Sequence, residues 1–201
     1  MALGFEQAGL KTIGLIEVDK DACETLRKNR PRWEVLQQDV ADVDFSQFNA
    51  DIISGGFPCQ SFSYAGKGLG FEDTRGTLFF EFARAIKEVK PKIFVGENVE
   101  GLKNHDEGRT LETMVKVLSD LGYHVQMKVL NSVDYTVAQK RKRVFIVGTI
   151  DGYHFEYPSP YEKKIVLKDA LKNVPDSRGT KYSEKRRKVL EIVPPGGCWV
   201  N

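Results

Sequence analysis

The stretch that most constrains this chain is a short β-branched run, Asp51-Ile52-Ile53-Ser54, which ends in two glycines and continues as Phe57-Pro58-Cys59-Gln60-Ser61-Phe62-Ser63. Such a run favours extended backbone, and Gly55 and Gly56 close it. In open parallel sheets, ligands and chemistry gather beyond the carboxyl ends of the strands, so Cys59 is expected at an active edge. Pro58 fixes its own φ and removes a backbone donor, while Gln60 and Ser61 supply polar contacts rather than packing. A buried cysteine is usually only a small core hydrophobe. That reading suits Cys23, which lies in a helical pattern, and Cys198; it suits Cys59 less well.

Three further segments extend the pattern in order. Gly70-Phe71-Glu72-Asp73-Thr74-Arg75-Gly76-Thr77-Leu78-Phe79 precedes a helical pattern, Glu97-Asn98-Val99 closes the strand Lys92-Ile93-Phe94-Val95-Gly96, and Gln139-Lys140-Arg141-Lys142-Arg143 opens a later strand. A Pro-Cys pair by itself is weak. Four ordered segments over most of the chain resemble the DNA (cytosine-5)-methyltransferases of the bacterial restriction-modification type.

The resemblance implies transfer of a methyl group from S-adenosyl-L-methionine to C5 of cytosine in DNA. C5 is a poor nucleophile, so a thiolate first adds to C6 and pushes electron density toward C5. On this reading Cys59 is the nucleophile, and Glu97 donates a hydrogen bond or proton at cytosine N3. Arg143 matches the family's contact to cytosine O2, with Arg141 its neighbour in the basic motif. Asn98 would order the loop that holds Glu97. Taken singly, Glu97 reads equally as a surface strand-end carboxylate, and Arg141 and Arg143 as a solvated charge run.

A base inside a duplex cannot offer C6 to a thiolate, so the resemblance also implies that the nucleotide is flipped out, at a cost of a few kcal/mol. The family's mobile catalytic loop maps onto the segment after Cys59. Gln60, Ser61, Ser63 and Lys67 are its DNA-binding candidates, and Gly66, Gly68 and Gly70 give it freedom to close. Ala65 stands where the family usually has a serine, so one phosphate contact is expected to be absent. A plain flexible surface loop would account for the glycines, though not for the preceding Pro-Cys.

The methyl-donor site is read in the same way. Thr12-Ile13-Gly14-Leu15-Ile16-Glu17 reads as a strand with an acidic end, and a carboxylate there commonly accepts from a ribose. The resemblance places Val18 against adenine and has Asp39 accept from the adenine amino group. Val40, Pro58 and Leu78 complete the cofactor-binding set. Asp39 reads equally as an ordinary strand-terminating turn residue.

The implied fold class is α/β: a Rossmann-like sheet of the S-adenosylmethionine-dependent methyltransferases, ending in an antiparallel hairpin. Helical periodicity at Leu78, Phe82, Ala85, Ile86 and Val89, and at Leu111, Met114, Val115, Leu118 and Leu121, alternates with strands. Val125 to Leu130 and Val144 to Val147 read as the hairpin. The family's first strand and its Phe-x-Gly-x-Gly-Gly loop are expected to be missing, as is the target-recognition domain. The missing strand would leave two rows of unpaired backbone groups. The chain is therefore expected to be a fragment truncated at both ends, or one half of a split enzyme joined by a complementary chain. Prolines between Tyr157 and Tyr161 mark a linker. The catalytic domain is accordingly expected over 1–157, with the linker and the start of the recognition region over 158–201.

Composition narrows the setting. A length of 201 residues, 41% apolar and 29% charged, suits one domain with a real core. No apolar run spans a membrane and no signal-peptide pattern opens the chain, so a cytoplasmic protein is expected. Three cysteines without paired spacing argue against a disulfide scaffold or zinc site, and His105, His124 and His154 show no ligand spacing, so no metal is expected. The net charge is only +2, yet from Tyr161 onward ten Lys or Arg face five Asp or Glu. That surplus favours contact with the phosphates of double-stranded DNA, and is equally the mark of a solvated helix face. Two alternatives stay open beside the DNA enzyme: an RNA cytosine-C5 methyltransferase, and an inactive remnant that binds DNA or a partner chain.

Overall fold

A computed structural model describes residues 1–58, 78–175, 179 and 181–194. Cys59, Gln60, Ser61, Ser63, Lys67 and Cys198 lie outside the described residues. The chain divides into two units, Met1–Lys164 and Ile165–Asn201.

The first unit alternates helices and strands. Helix α1 (Ala2–Gln7) precedes strand β1 (Leu15–Glu17), helix α2 (Lys20–Asn29) and strand β2 (Val35–Gln37). Of the strand expected over 12–17, only the last three residues pair. Helix α2 starts where Asp19 Oδ1 accepts from Ala22 N at 2.7 Å, and Asp21 in its first turn with Arg27 and Lys28 in its last suit the helix dipole. Its buried Cys23 turns its thiol to the Glu17 carbonyl at 3.4 Å, a core position rather than a reactive one. Two 3₁₀ turns, Val40–Asp42 and Phe45–Gln47, lead to strand β3 (Ile52–Gly56).

Helix α3 (Leu78–Val89), strand β4 (Ile93–Val99), helix α4 (Arg109–Asp120), strand β5 (His124–Asn131) and strand β6 (Lys142–Thr149) complete the unit. A 3₁₀ segment, Glu100–Gly108, joins β4 to α4. Among the described residues the strands form a parallel pair, β1-β2, and a four-stranded sheet in the order β3-β4-β6-β5. In the larger sheet β3 and β4 are parallel, while β6 is antiparallel to both β4 and β5. The terminal hairpin expected from the sequence is thus present, with β6 inserted between β4 and β5. The parallel strands β1, β2 and β3 each have a single paired neighbour among the described residues. Ile16 of β1 and Ile53 of β3 pack against one small cluster built on Val43, Phe45 and Ala85.

The main core lies between α3, α4 and the larger sheet. Phe79, Ile86, Phe94, Leu102, Met114, Leu118 and Ile146 are fully buried, at the 3.6-residue and two-residue spacings that helices and strands require. Aromatic size is matched by glycine. The Phe94 ring covers Gly148, its cross-strand partner, and Phe82 covers Gly55. Tyr123 sits edge-on to Phe94 and donates to the Pro91 carbonyl at 2.6 Å.

The expected boundary near Tyr157 falls earlier than the observed division, because residues 157–164 are strapped onto the hairpin. The Tyr157 hydroxyl lies 2.8 Å from the Phe145 carbonyl and 3.1 Å from that of Gln126. Tyr135 donates to the Pro158 carbonyl, Tyr161 N to the Asp134 carbonyl, and Lys164 pairs with the Asp134 carboxylate. Prolines signal a break in secondary structure, which is not the same as a break in contact.

In the second unit, helix α5 (Leu167–Ala170) is a single turn and helix α6 (Glu184–Glu191) is exposed throughout. Ser183 caps α6, and Arg187 and Lys188 pair with Glu191 and Glu184 along its surface. The basic run is a solvated helix face. Among the described residues no helix is long and apolar enough to cross a membrane.

Candidate active site

Strand β4 delivers two functional side chains to opposite sides. Its register sets Glu97 across from Gly56 of β3 on one edge and from Phe145 of β6 on the other, and sets Val99 across from Arg143. Diagonal neighbours on one face of an antiparallel pair meet when a side chain is long. Accordingly Arg143 Nε reaches Glu97 Oε1 at 2.9 Å, with both side chains about one-quarter exposed. A second guanidinium nitrogen of Arg143 donates to the Lys142 carbonyl at 2.8 Å. The other Glu97 oxygen, Oε2, faces Gly56, where an added Cβ would stand 3.4 Å away. The carboxylate is thus anchored through one oxygen and directs the other toward the strand end that leads into Phe57-Pro58-Cys59.

Asn98, one residue on, points the other way, as strand alternation demands. It is buried, and its Nδ2 donates to the Phe57 carbonyl at 2.7 Å while its Oδ1 accepts from Val99 N at 2.8 Å. The sequence has Asn98 order the loop that holds Glu97; its contacts reach the backbone on both sides, at Val99 after Glu97 and at Phe57 just ahead of Pro58. Phe57 is held from the helix side too, edge-on to Phe79 at 5.3 Å and tilted on Phe82 at 5.5 Å. Pro58 and Leu78, the described residues on either side of segment 59–77, are both exposed.

The basic motif lines an open cleft of about 480 Å³ with Glu100, Asn131, Gln139, Lys140, Arg141, Lys142 and Arg143. Arg141 is fixed by its backbone: its N–H donates to Asn131 Oδ1 at 3.1 Å and its carbonyl accepts from Ser132. Lys142 pairs with Glu100 at 3.1 Å. Of the two arginines singled out in the sequence, Arg143 therefore meets Glu97, and Arg141 borders the cleft beside it.

The donor candidates stand on the parallel pair. Glu17 ends β1 opposite Gln37, and Gln38 N donates to the Glu17 carbonyl at 3.1 Å, which brings the residue before Asp39 alongside Glu17. Glu17 Oε1 accepts from Asp19 N at 3.0 Å, and Asp39 Oδ1 accepts from Ala41 N at 3.0 Å. Asp39 is thus a turn cap through one oxygen, as the plainer reading had it, and the residue is exposed. Val18 is 64% exposed and Val40 half-buried. Two carboxylates at adjacent strand ends beside an uncovered valine fit a ribose hydroxyl, an adenine amino group and an adenine face.

The three histidines all have partners: His105 with Thr110, His124 with Asp151, and His154 with Glu156. Among the described residues no group of three His, Cys, Asp or Glu is arranged to hold a metal ion.

An α/β fold with acidic strand ends on one side and a carboxylate-arginine pair on the other defines a methyltransferase-type domain. The chain belongs to the C-5 cytosine-specific DNA methylase family, whose profile matches residues 1–196. It is 54% identical over 213 aligned positions to the type II methyltransferase M.Eco47II of Escherichia coli, covering 99% of this chain and 51% of that protein. It is 51% identical to M.Sau96I of Staphylococcus aureus, covering 100% of this chain and 49% of that protein. The chain thus spans about half the length of these relatives. Among solved structures, an E. coli prophage-encoded protein designated a DNA modification methyltransferase superposes with a TM-score of 0.71 at 27% identity, covering 88% of this chain and 52% of that one. The S. pombe Dnmt2 methyltransferase shares the fold, with a TM-score of 0.60 at 20% identity over 78% of this chain and 48% of that one.

Proposed function

We propose that this chain supplies the catalytic half of a DNA cytosine-C5 methyltransferase. The observation that carries this reading is the Glu97–Arg143 pair at the carboxyl end of β4, next to the strand end that leads into Pro58-Cys59. The Cys59 thiolate adds to C6 of a flipped-out cytosine; the new C–S bond pushes the C5–C6 π electrons toward C5 and the ring toward N3. Glu97, held by Arg143 through one oxygen, supplies in its protonated form a hydrogen bond or proton at N3 from the other, and Arg143 adds positive charge at O2. Asn98 holds the Phe57 carbonyl and so fixes the backbone that leads to Pro58, the residue before Cys59. Once C5 carries the transferred methyl group, a base removes the C5 proton, and the C–H electron pair re-forms the C5–C6 double bond and expels the thiolate. Glu17, Val18, Asp39 and Val40 would hold S-adenosyl-L-methionine, with Pro58 and Leu78 closing its apolar wall; the donor supplies an electrophilic methyl group.

Gln60, Ser61, Ser63 and Lys67, with Arg141 at the cleft, are assigned to DNA phosphates and to the gap left by the flipped base. The single-neighbour strands β1 and β3 support a partner segment, in the same or a complementary chain, that pairs with one or both. Three cysteines, an odd number without paired spacing, support a reducing cytoplasm as the setting.

The test is methyl transfer by this chain grafted in place of the matching half of the M.Eco47II relative. Labelled methyl should pass from S-adenosyl-L-methionine to cytosine in duplex DNA. Transfer to RNA alone, or to neither, contradicts the reading.

A further inference from the structure

The turn that carries the donor candidates Asp39 and Val40 is too short to hold its own position. Its internal backbone bonds are Asp42 N to the Asp39 carbonyl at 3.0 Å and Val43 N to the Val40 carbonyl at 3.3 Å, and Asp39, Ala41 and Asp42 are exposed. What fixes it comes from α3. Arg84 donates to the carbonyls of Val40 at 2.9 Å, Val43 at 2.8 Å and Ala41 at 3.4 Å, reaching across more than forty residues of sequence.

The same guanidinium is held from below by Glu81 at 2.6 Å and Glu88 at 3.2 Å, and stacks over the Phe45 ring at 4.7 Å. Glu88 in turn accepts from Phe45 N at 3.1 Å. Burial alone would lower the Arg84 pKa, and the hydrogen bonds to Glu81 and Glu88 more than offset it, so the fork stays charged. Five and two residues before Arg84, the α3 side chains Phe79 and Phe82 press against Phe57 and Gly55 on the other side of the site. A single helix thus grips both the donor turn and the strand end that leads to Cys59.

We infer that Arg84 is a positioning residue for the methyl donor, setting Asp39 and Val40 against the adenine ring by clasping the carbonyls of their turn. This rests on the donor-site reading above. The experiment is calorimetric binding of S-adenosyl-L-homocysteine to the full chain and to D39A, R84Q and the double variant. R84Q should weaken binding about tenfold, the scale of one or two lost charge-assisted hydrogen bonds. Because Arg84 acts through the same turn, of which Val40 remains in D39A, the double variant should lose less than the two single losses combined.

Arg84→Lys keeps the cation beside Glu81 and Glu88 while losing the fork, and should show the same non-additivity. It decides the question if R84Q does not fold. Additive losses, or arginine variants that bind like the parent while D39A is weakened, overturn the role of Arg84 and leave the donor site standing. A D39A chain that binds like the parent, or a parent that does not bind, overturns the donor-site reading itself.

Discussion

Glu97 gains its direction from Arg143 at 2.9 Å, and neither side chain is exposed enough for water to replace the other. Arg143→Gln in the grafted enzyme is expected to lower the methyl-transfer rate about 10²-fold, the usual cost of removing one preorganised donor from a developing charge. KM for DNA should change little; a loss confined to KM would mean that Arg143 only binds the substrate. Asn98 is a different case, buried and committed to backbone. Asn98→Ala strands the Phe57 carbonyl and should cost about 1–3 kcal/mol of stability, read from urea unfolding, with a further loss of activity.

Both residues stand out in the sequence as Glu97-Asn98 at a strand end, yet their partners do not. The antiparallel register of β4 and β6 decides that Arg143 and not Arg141 meets Glu97, and register is set by pairing across distant segments. Arg84 was illegible for a related reason. With Glu81 three residues before it and Glu88 four after, it reads as an ordinary solvated helix pairing, and its carbonyl partners carry no pattern in side chains.

Among the elements, the β4–β6 pairing carries the tightest packing. A Cβ on Gly148 would stand 2.1 Å from Phe94 Cε1, too close without moving the ring or the strand. Gly148→Ala is therefore expected to destabilise the first unit by about 1–3 kcal/mol in thermal or urea unfolding. A variant as stable as the parent would show that Phe94 can leave its place.

The strap over the hairpin makes a pH prediction. Burial pushes the Tyr157 hydroxyl up to about 12, above the ordinary tyrosine value near 10. Its protonated form donates to the hairpin carbonyls, so its contribution is complete below pH 10 and is lost as pH rises through 12. The protection factor of the Tyr161 amide, which donates to the Asp134 carbonyl, should fall over that interval in the parent, whereas Tyr157→Phe should show low protection at neutral pH already. Equal exchange in the two proteins at pH 8 would contradict the role of the strap. The strands and helices of this region were legible from periodicity. The strap was not, because its prolines mark the end of regular structure while its tyrosines, separated in sequence from their acceptors, hold it down.

At the scale of the molecule, the two sides of the site are built on different sheets. Glu17 and Asp39 stand on β1-β2, Glu97 and Arg143 on β3-β4-β6-β5, and α3 touches the turns and strands of both. The alternating α/β order and the terminal hairpin were readable from periodicity, and the family from four motifs in order. The division at Lys164 was not, because it depends on contacts made after the last strand. Family membership covers nearly the whole chain, and the chemistry assigned to it converges on Cys59.

The most direct measurement is covalent trapping of the grafted enzyme on duplex DNA that carries 5-fluorocytosine, with S-adenosyl-L-methionine present. Fluorine at C5 cannot leave as a proton does, so the C–S bond at C6 persists. The account predicts a denaturant-stable protein–DNA adduct with the parent and none with Cys59→Ala. An adduct that survives Cys59→Ala, or a parent that methylates cytosine without forming one, would contradict it.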